Sequence, residues 1–220
     1  MNKKTSRSPT VSVIVPAYNA SAFIRPTLDS ILSQSYNDFE LIIIDDGSCD
    51  NTASIITSYR DKRIFFFSNP KNIGTSKTRN KALAQSRGNF IAYCDHDDIW
   101  YKHHLREMMN VFERNPETGL VFAQYRVRGK HKNWSYNYIF PLKLFSHESL
   151  ENNNTLGSPC NIIHKKQCVQ KVGDFNESLI IQRNSCEDWD LWLRISDHFK
   201  ITHVHKILSK FTFHGLNRSE

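Results

Sequence analysis

The sequence predicts an α/β fold, with a mostly parallel central sheet flanked by helices on both faces. Three observations predict it. Short β-branched or aromatic runs alternate with helical periodicity throughout the first half of the 220 residues. Strand–helix repeats of this length call for right-handed crossovers between parallel strands. Three of the strand exits are chemically loaded: "PAYNAS" after the first, "DDGSCD" after the second and "DHDD" after the fourth. In open α/β sheets ligands sit beyond the carboxyl ends of the strands, so these loops mark one candidate site.

The elements follow in order. "VSVIVP" (Val11–Pro16) is a β-branched strand. From Ala20 to Ser35, Phe23, Leu28, Ile31 and Leu32 recur at helical spacing. "FELIIID" (Phe39–Asp45) is a second buried strand, and Asp50 reads as the N-cap of a helix through Tyr59. "RIFFFS" (Arg63–Ser68) is a third strand. Gly74 to Ser86 reads as a helix with Ala82 and Leu83 inward and Gly88 as its C-cap. "FIAYC" is the fourth strand, and a helix follows from Lys102 to Arg114. The second half is less regular. Val121 to Ser146 suggests aromatic-rich strands or loops. "SPCNIIHKKQCVQKVG" suggests a short strand and a helix ended by Gly173. "CEDWDLWLRISDHF" is an amphipathic helix, and "KITHVHKILSKFTFH" supplies one or two terminal strands.

The whole chain sets further bounds. Residues 1–10 read as a polar tail and 11–220 as a single domain, divided near residue 100 into two halves. No apolar run approaches the roughly 20 residues that span a bilayer, and a cytosolic location is expected. The five cysteines, Cys49, Cys94, Cys160, Cys168 and Cys186, are odd in number and contain no C-x-x-C pair, which fits reduced thiols. The formal charge of +7 suits phosphate-bearing substrates, an anionic membrane surface or nucleic acid, and equally a solvated surface with no partner. One dense basic cluster, Arg126, Arg128, Lys130, His131 and Lys132, precedes Trp134, Tyr136 and Tyr138. Basic residues beside aromatics suit peripheral contact with an anionic bilayer, and an exposed hairpin would carry the same residues.

The loops then divide by chemistry. No G-x-G-x-x-G follows the first strand and no P-loop occurs, so any nucleotide must be gripped by side chains and a cation. In "DDGSCDN", turn chemistry accounts for Gly47, Ser48 and Asp50 but not for Asp45 and Asp46, which end a buried strand and could accept from a base N–H or a ribose hydroxyl. "DHDD" sets Asp95, Asp97 and Asp98 together. At about 4 Å, like charges repel by roughly 1 kcal/mol in water and about 4 at an effective dielectric near 20. Either full solvation in a turn or a hard divalent ion offsets this, and the Asp-x-Asp spacing lets carboxylates converge on such an ion. Glu187 and Asp188 begin a helix, where acids are stabilised by the dipole and where one could act as a general base. His203 and His205 share a strand face as a metal pair would, though strand positions of this kind are more often surface residues.

Taken together, "VSVIVPAYNASAFIRPTLDSILSQSYNDFELIIIDDGSCDNT", "NPKNIGTSKTRNKALAQSRGNFIAYCDHDDIW" and "EDWDLWLRI" closely resemble the inverting family-2 glycosyltransferases of GT-A fold, over nearly the whole chain from Val11 to His214. Among them it looks like the short bacterial enzymes of cell-surface polysaccharide synthesis. The resemblance implies a Rossmann-like GT-A sheet with a smaller acceptor-side region in the C-terminal half. It implies that Pro16, Ala17 and Tyr18 wrap the nucleotide base and that Asp46 bonds a uracil. Arg79 lines the nucleotide pocket, and Asp95 and His96 lie near ribose and sugar. Asp97 matches the carboxylate holding Mn²⁺ or Mg²⁺, His214 lies close to that metal and the diphosphate, and Asp188 matches the catalytic base. His96 departs from the family, which often has a small or neutral residue there. The implied partners are a nucleotide-diphosphate sugar, UDP-linked by the resemblance of Asp46, and a glycan or lipid-linked acceptor, with no nucleic acid. Competing readings are a non-catalytic sugar-nucleotide-binding subunit, a nucleotidyltransferase, for which no Gly-rich basic loop is present, and a nucleic-acid binder resting on charge alone.

Overall fold

A computed structural model describes residues 8–129, 135–138, 147–152, 154–181 and 187–213. The first half forms as its pattern dictates. Strands β1 (Val11–Ala17), β2 (Phe39–Asp45), β3 (Ile64–Ser68) and β4 (Phe90–Tyr93) pair in parallel in the order β3-β2-β1-β4. Helices α1 (Ile24–Leu32), α2 (Thr52–Thr57) and α3 (Thr75–Gln85) connect them.

Period-two alternation sends the strand residues to two cores. Val11, Val13 and Val15 face a layer containing Ile24, Leu28 and Ile31 of α1 and Leu105, Met108 and Phe112 of α4 (His104–Arg114). Ile14, Ile42 and Ile44 face Ala82 and Leu83 of α3 and, from the second half, Leu191, Trp192 and Ile195. Burial on both faces is why these strands read as near-continuous apolar runs, broken at Ser12 and Glu40, which bond each other.

The second half extends the same sheet with mixed pairing. It contributes β5 (Ile99–Trp100), β6 (Thr118–Gly129), β7 (Ser135–Tyr138), β8 (Ile162–Lys165) and β9 (Lys200–Phe213), with helices α5 (His147–Asn152), α6 (Lys166–Val172) and α7 (Glu187–Ser196). The order continues β4-β8-β6-β9-β5, with β7 on β6. Pairing is antiparallel except for the parallel β6–β9 ladder. The parallel pairing expected of the sheet is found throughout its first four strands and again between β6 and β9, and among the described residues the complete sheet is mixed.

Several boundaries differ from the sequence reading. The helix expected from Ala20 starts at Ile24, after a turn over 21–23, and the Ala20 and Ser21 N–H groups are taken by Thr52 and Asp50 across the neighbouring loop. Asp50 is not the N-cap of α2. Asn51 takes that position, and Asp50 accepts from the Thr52 N–H at 3.0 Å and from its hydroxyl. Gly88 is not the C-cap of α3 either, since Ser86 holds that position in extended conformation. Glycine is required at 88 by packing: a Cβ there would lie 2.6 Å from the Ser12 nitrogen of β1. Gly173 does end α6, and the terminal strand is single. The four described cysteines are free thiols, and Cys186 lies outside the described residues. His203 and His205 share a face as expected; His203 is half-buried and stacks on Phe122 at 4.5 Å, while His205 is exposed. No helix among the described residues is long and apolar enough to cross a membrane.

Candidate active site

The β1 and β2 exits are tied to one another by short polar side chains. Asn19 adopts a left-handed φ of 47° and its Oδ1 accepts from the Cys49 N–H at 2.9 Å, while its own N–H donates to Ser48 Oγ at 2.9 Å. Asp45 accepts from the Ser48 N–H and hydroxyl. Pro16 and Ala17 remain in the buried strand, and Tyr18, 42% exposed, stands clear of it at the loop tip.

Asp46 is 4% exposed and turns towards the segment entering α3. Its Oδ1 accepts from Asn69 Nδ2 at 2.8 Å and the Ile73 N–H at 3.0 Å, and its Oδ2 from the Gly74 N–H at 2.9 Å. A carboxylate offers about four lone-pair sites, so one remains after these three bonds. Gly47, at φ +73°, allows the close approach: a Cβ there would meet the Lys71 backbone at 2.5 Å. The second acid of "DDGS" thus shapes the loop from 69 to 74 while keeping one acceptor position.

The β4 exit holds the acidic turn. The Asp98 N–H donates to the Asp95 carbonyl at 3.1 Å, which folds the four residues back on themselves. His96 Nδ1 lies 3.2 Å from the Pro16 carbonyl, and the His96 carbonyl accepts from Thr27 Oγ1 at 2.9 Å, so this residue fastens the turn to β1 and α1. Asp97 is half-buried. Asp98 is fully buried and accepts from the Thr212 N–H at 3.2 Å and from Ser158 Oγ at 3.4 Å. Burial, then the charges of Asp97 and Asp95, push its pKa well above the usual carboxylate range.

Arg79 joins the two halves of the site. It is 3% exposed, with Nη2 2.7 Å from Asp95 Oδ1 and Nη1 2.8 Å from Glu187 Oε1. Burial opposes its charge, but Asp95 and Glu187 more than offset this and push its pKa up. Both terminal nitrogens expected to line the nucleotide pocket therefore meet carboxylates. Next along α7, Asp188 Oδ1 accepts from the Trp189 N–H at 2.8 Å. Burial pushes the Asp188 carboxyl up to about 6, with the Glu187 charge adding and the Arg79 charge opposing. Helix α7 is itself anchored: Trp189 Nε1 donates to the Leu150 carbonyl at 2.6 Å, and Arg194 donates to the Val172 and Asp174 carbonyls.

The structure thus ties Arg79 to Asp95 and Glu187, sets Asp188 beside Glu187 within electrostatic reach of that pair of bridges, places His96 and Asp97 in the adjoining turn, and holds Asp46 and Tyr18 at the two neighbouring exits. His214 lies outside the described residues. Glu187 and Asp98 are the additions. The adjacent acids of "EDWD" signal the first, but its ion pair spans 108 positions and no local pattern encodes it. Asp98 is visible in the sequence only as part of the cluster.

The residues of the turn fit a hard divalent ion. Asp95 and Asp97 offer carboxylate oxygens at a place negative enough to oppose ionisation of Asp98. No group of three or more His, Cys, Asp or Glu side chains gathers into a self-sufficient metal site among the described residues. The fit is to an ion that takes its remaining ligands from diphosphate oxygens and water.

Comparison with known proteins agrees with this architecture. The family described as Glycosyl transferase family 2 matches residues 12–176. An uncharacterized glycosyltransferase of Rickettsia typhi is 28% identical over 96% of this chain and 66% of its own length. The Escherichia coli UDP-Glc:alpha-D-GlcNAc-diphosphoundecaprenol beta-1,3-glucosyltransferase WfgD is 32% identical over 64% of this chain and 55% of its own. The crystal structure of S. aureus TarS aligns with a TM-score of 0.76 and 25% identity, over 93% of this chain and 37% of that one. The chain spans between about a third and two thirds of the length of the curated relatives it matches first.

Proposed function

The chain belongs to glycosyl transferase family 2, and from that membership we propose that it is an inverting transferase acting on a nucleotide-diphosphate sugar. The donor is a UDP-sugar and the acceptor a hydroxyl of a lipid-linked glycan in bacterial cell-surface polysaccharide synthesis. The single observation that carries the reading is Asp188, a half-buried carboxylate with its pKa raised to about 6, held beside Arg79, Asp95 and the acidic turn. A base poised near the working pH can take a proton and still be ionised beforehand.

In the proposed reaction the acceptor hydroxyl gives its proton to the free oxygen of Asp188 and attacks the anomeric carbon from the face opposite the diphosphate. Arg79 acts through its ion pairs, holding α7 and thereby the base against the β4 exit. Tyr18 and the tied loops of β1 and β2 border the base and ribose, with the remaining lone pair of Asp46 available to a uracil N–H. Asp97, with Asp95 beside it and His214 nearby by the family resemblance, would hold Mn²⁺ or Mg²⁺, which neutralises the leaving diphosphate when bound. The name of WfgD, a UDP-Glc enzyme acting on a diphosphoundecaprenol-linked sugar, supports both the uridine donor and the lipid-linked acceptor.

The test is calorimetric titration with UDP, GDP and dTDP, with and without Mn²⁺, on the wild type and Asp97→Asn, followed by turnover assays with UDP-sugars. UDP binding that requires Mn²⁺ and Asp97 is expected. Failure of every nucleotide to bind would overturn the donor reading, and tight binding without any turnover would favour a non-catalytic sugar-nucleotide subunit.

A further inference from the structure

A row of cations lies beside the acidic turn, with no carboxylate paired to it among the described residues. The β6–β9 and β6–β7 ladders set Arg126 opposite both Lys210 and Asn137, and Arg128 opposite Thr212 and Ser135. Residues directly opposed across a ladder share a sheet face, as do residues two apart along a strand. Arg126, Arg128 and Lys210 therefore form one group that only the pairing of distant strands creates. Both arginines are exposed and Lys210 is half-buried. Among the described residues none of the three forms an ion pair. Arg126 Nε donates to Asn137 Oδ1 at 3.0 Å, which orients the guanidinium on the sheet. Like charges placed directly opposite one another destabilise a ladder, so the protein carries a cost here that a bound anion would remove. Burial and the charge of Arg128 push the Lys210 pKa down in agreement, while Asp98 opposes them.

Position says which anion. Ile99, two residues past Asp97, pairs with Lys210, and the Thr212 N–H donates to Asp98. The cations thus adjoin the acidic turn. They stand on β6 and β9, across the turn from the β1, β2 and β4 exits assigned to the donor. We propose that Arg126, Arg128 and Lys210 bind a phosphoryl group of the acceptor, making the acceptor a phosphate-bearing glycan whose anion is held while its sugar hydroxyl reaches Asp188. Arginine forks match phosphoryl oxygens in geometry as well as charge. This inference rests on the transferase reading above. A bilayer-binding surface is the less favoured source of the same chemistry: Tyr136, opposite Val127, points to the other face of the sheet, so cation and aromatic do not share the face that an interfacial site needs.

The experiment uses the Arg126→Gln/Arg128→Gln double variant, whose changes are exposed, alongside Lys210→Gln and the wild type, each with its fold checked by circular dichroism. Inorganic phosphate is titrated onto protein saturated with UDP and Mn²⁺. A short-chain polyisoprenyl-diphosphate-linked N-acetylglucosamine is then compared with free N-acetylglucosamine, and vesicles of phosphatidylglycerol with vesicles of phosphatidylcholine. The proposal expects phosphate and the diphosphate-linked sugar to bind the wild type and to lose at least about tenfold in affinity in the double variant, with UDP affinity changed less than about twofold. Equal phosphate affinity in variant and wild type would overturn it. So would a parallel loss of UDP affinity, which would assign the cations to the donor, or a loss confined to phosphatidylglycerol vesicles, which would assign them to a membrane. The UDP titration of the wild type judges the donor reading separately, and phosphate titrated onto the nucleotide-free protein judges the cation site even where UDP fails to bind.

Discussion

Replacing Asp188 by asparagine should make the protein more stable while disabling it. In the folded chain the Asp188 carboxyl titrates near 6, against an ordinary aspartate value of 3.8. Below 3.8 the group is protonated in both folded and unfolded states and contributes nothing. As pH rises from about 4 to about 6 the unfolded chain ionises first, so it binds fewer protons than the folded one and stability falls. Above about 6 both states are ionised and the full cost is present. At about 1.36 kcal/mol per pH unit, the interval from 3.8 to about 6 is worth about 3 kcal/mol, an upper figure because water reaches part of the half-buried side chain. Asparagine keeps an oxygen for the Trp189 N–H and has no charge to desolvate. For a chain of this size each 1 kcal/mol moves Tm by roughly 2–4 °C, so the variant should melt higher at pH 8 by up to roughly 6–12 °C. Calorimetric scans at pH 8, 6 and 4 measure this, and the gain should shrink as pH falls through 6 and vanish near 4. Turnover should drop by about 10²–10⁴. Equal stability at pH 8, or a gain independent of pH, would refute burial of an ionised carboxylate at this position, and retained turnover would refute its role as the base.

Three further outcomes test the surrounding structure. Glu187→Gln removes a negative charge that raises the Asp188 pKa, so the acid limb of the kcat–pH profile, expected near 6 in the wild type, should move to lower pH; an unmoved limb would separate Glu187 from the base. Asp46→Ala deletes the acceptor of three hydrogen bonds and leaves the Ile73 and Gly74 N–H groups without it. It should cost about 2–4 kcal/mol in urea unfolding, and unchanged protease sensitivity between residues 69 and 74 would count against the loop-shaping role. Gly88→Ala drives a methyl to 2.6 Å from the Ser12 nitrogen, where backbone rather than a flexible side chain must yield. A loss of about 1–3 kcal/mol is expected, and an unshifted denaturation midpoint would show that β1 and the turn before β4 can separate freely.

Sequence alone determined the elements whose physics is local. The apolar runs of β1, β2 and β4 are legible because burial on both sheet faces leaves few polar positions within them, and two of these, Ser12 and Glu40, bond each other. Crossover handedness then puts their exits side by side, which is why Asp46, Asp95 and Asp97 stand out as site candidates from their places in the chain. Local pattern misassigns Asp50 and Gly88 because their roles are set from outside the segment: Asp50 also takes the Ser21 N–H from the β1 loop, and Gly88 is fixed by the backbone of β1. The second half resists reading for the same reason. β9 pairs with both β6 and β5, and the β6–β9 register shifts near Ala123 and Gln124, so side-chain direction depends on strands far apart in sequence. Tertiary structure alone decided the charge relations on which the proposed function rests. It set Arg79 between Asp95 and Glu187, raised Asp188 by burial, and brought Lys210 to the two arginines of β6. Residue types are written in the sequence, but the solvent and the opposing charge each one meets exist only once the chain has closed around it.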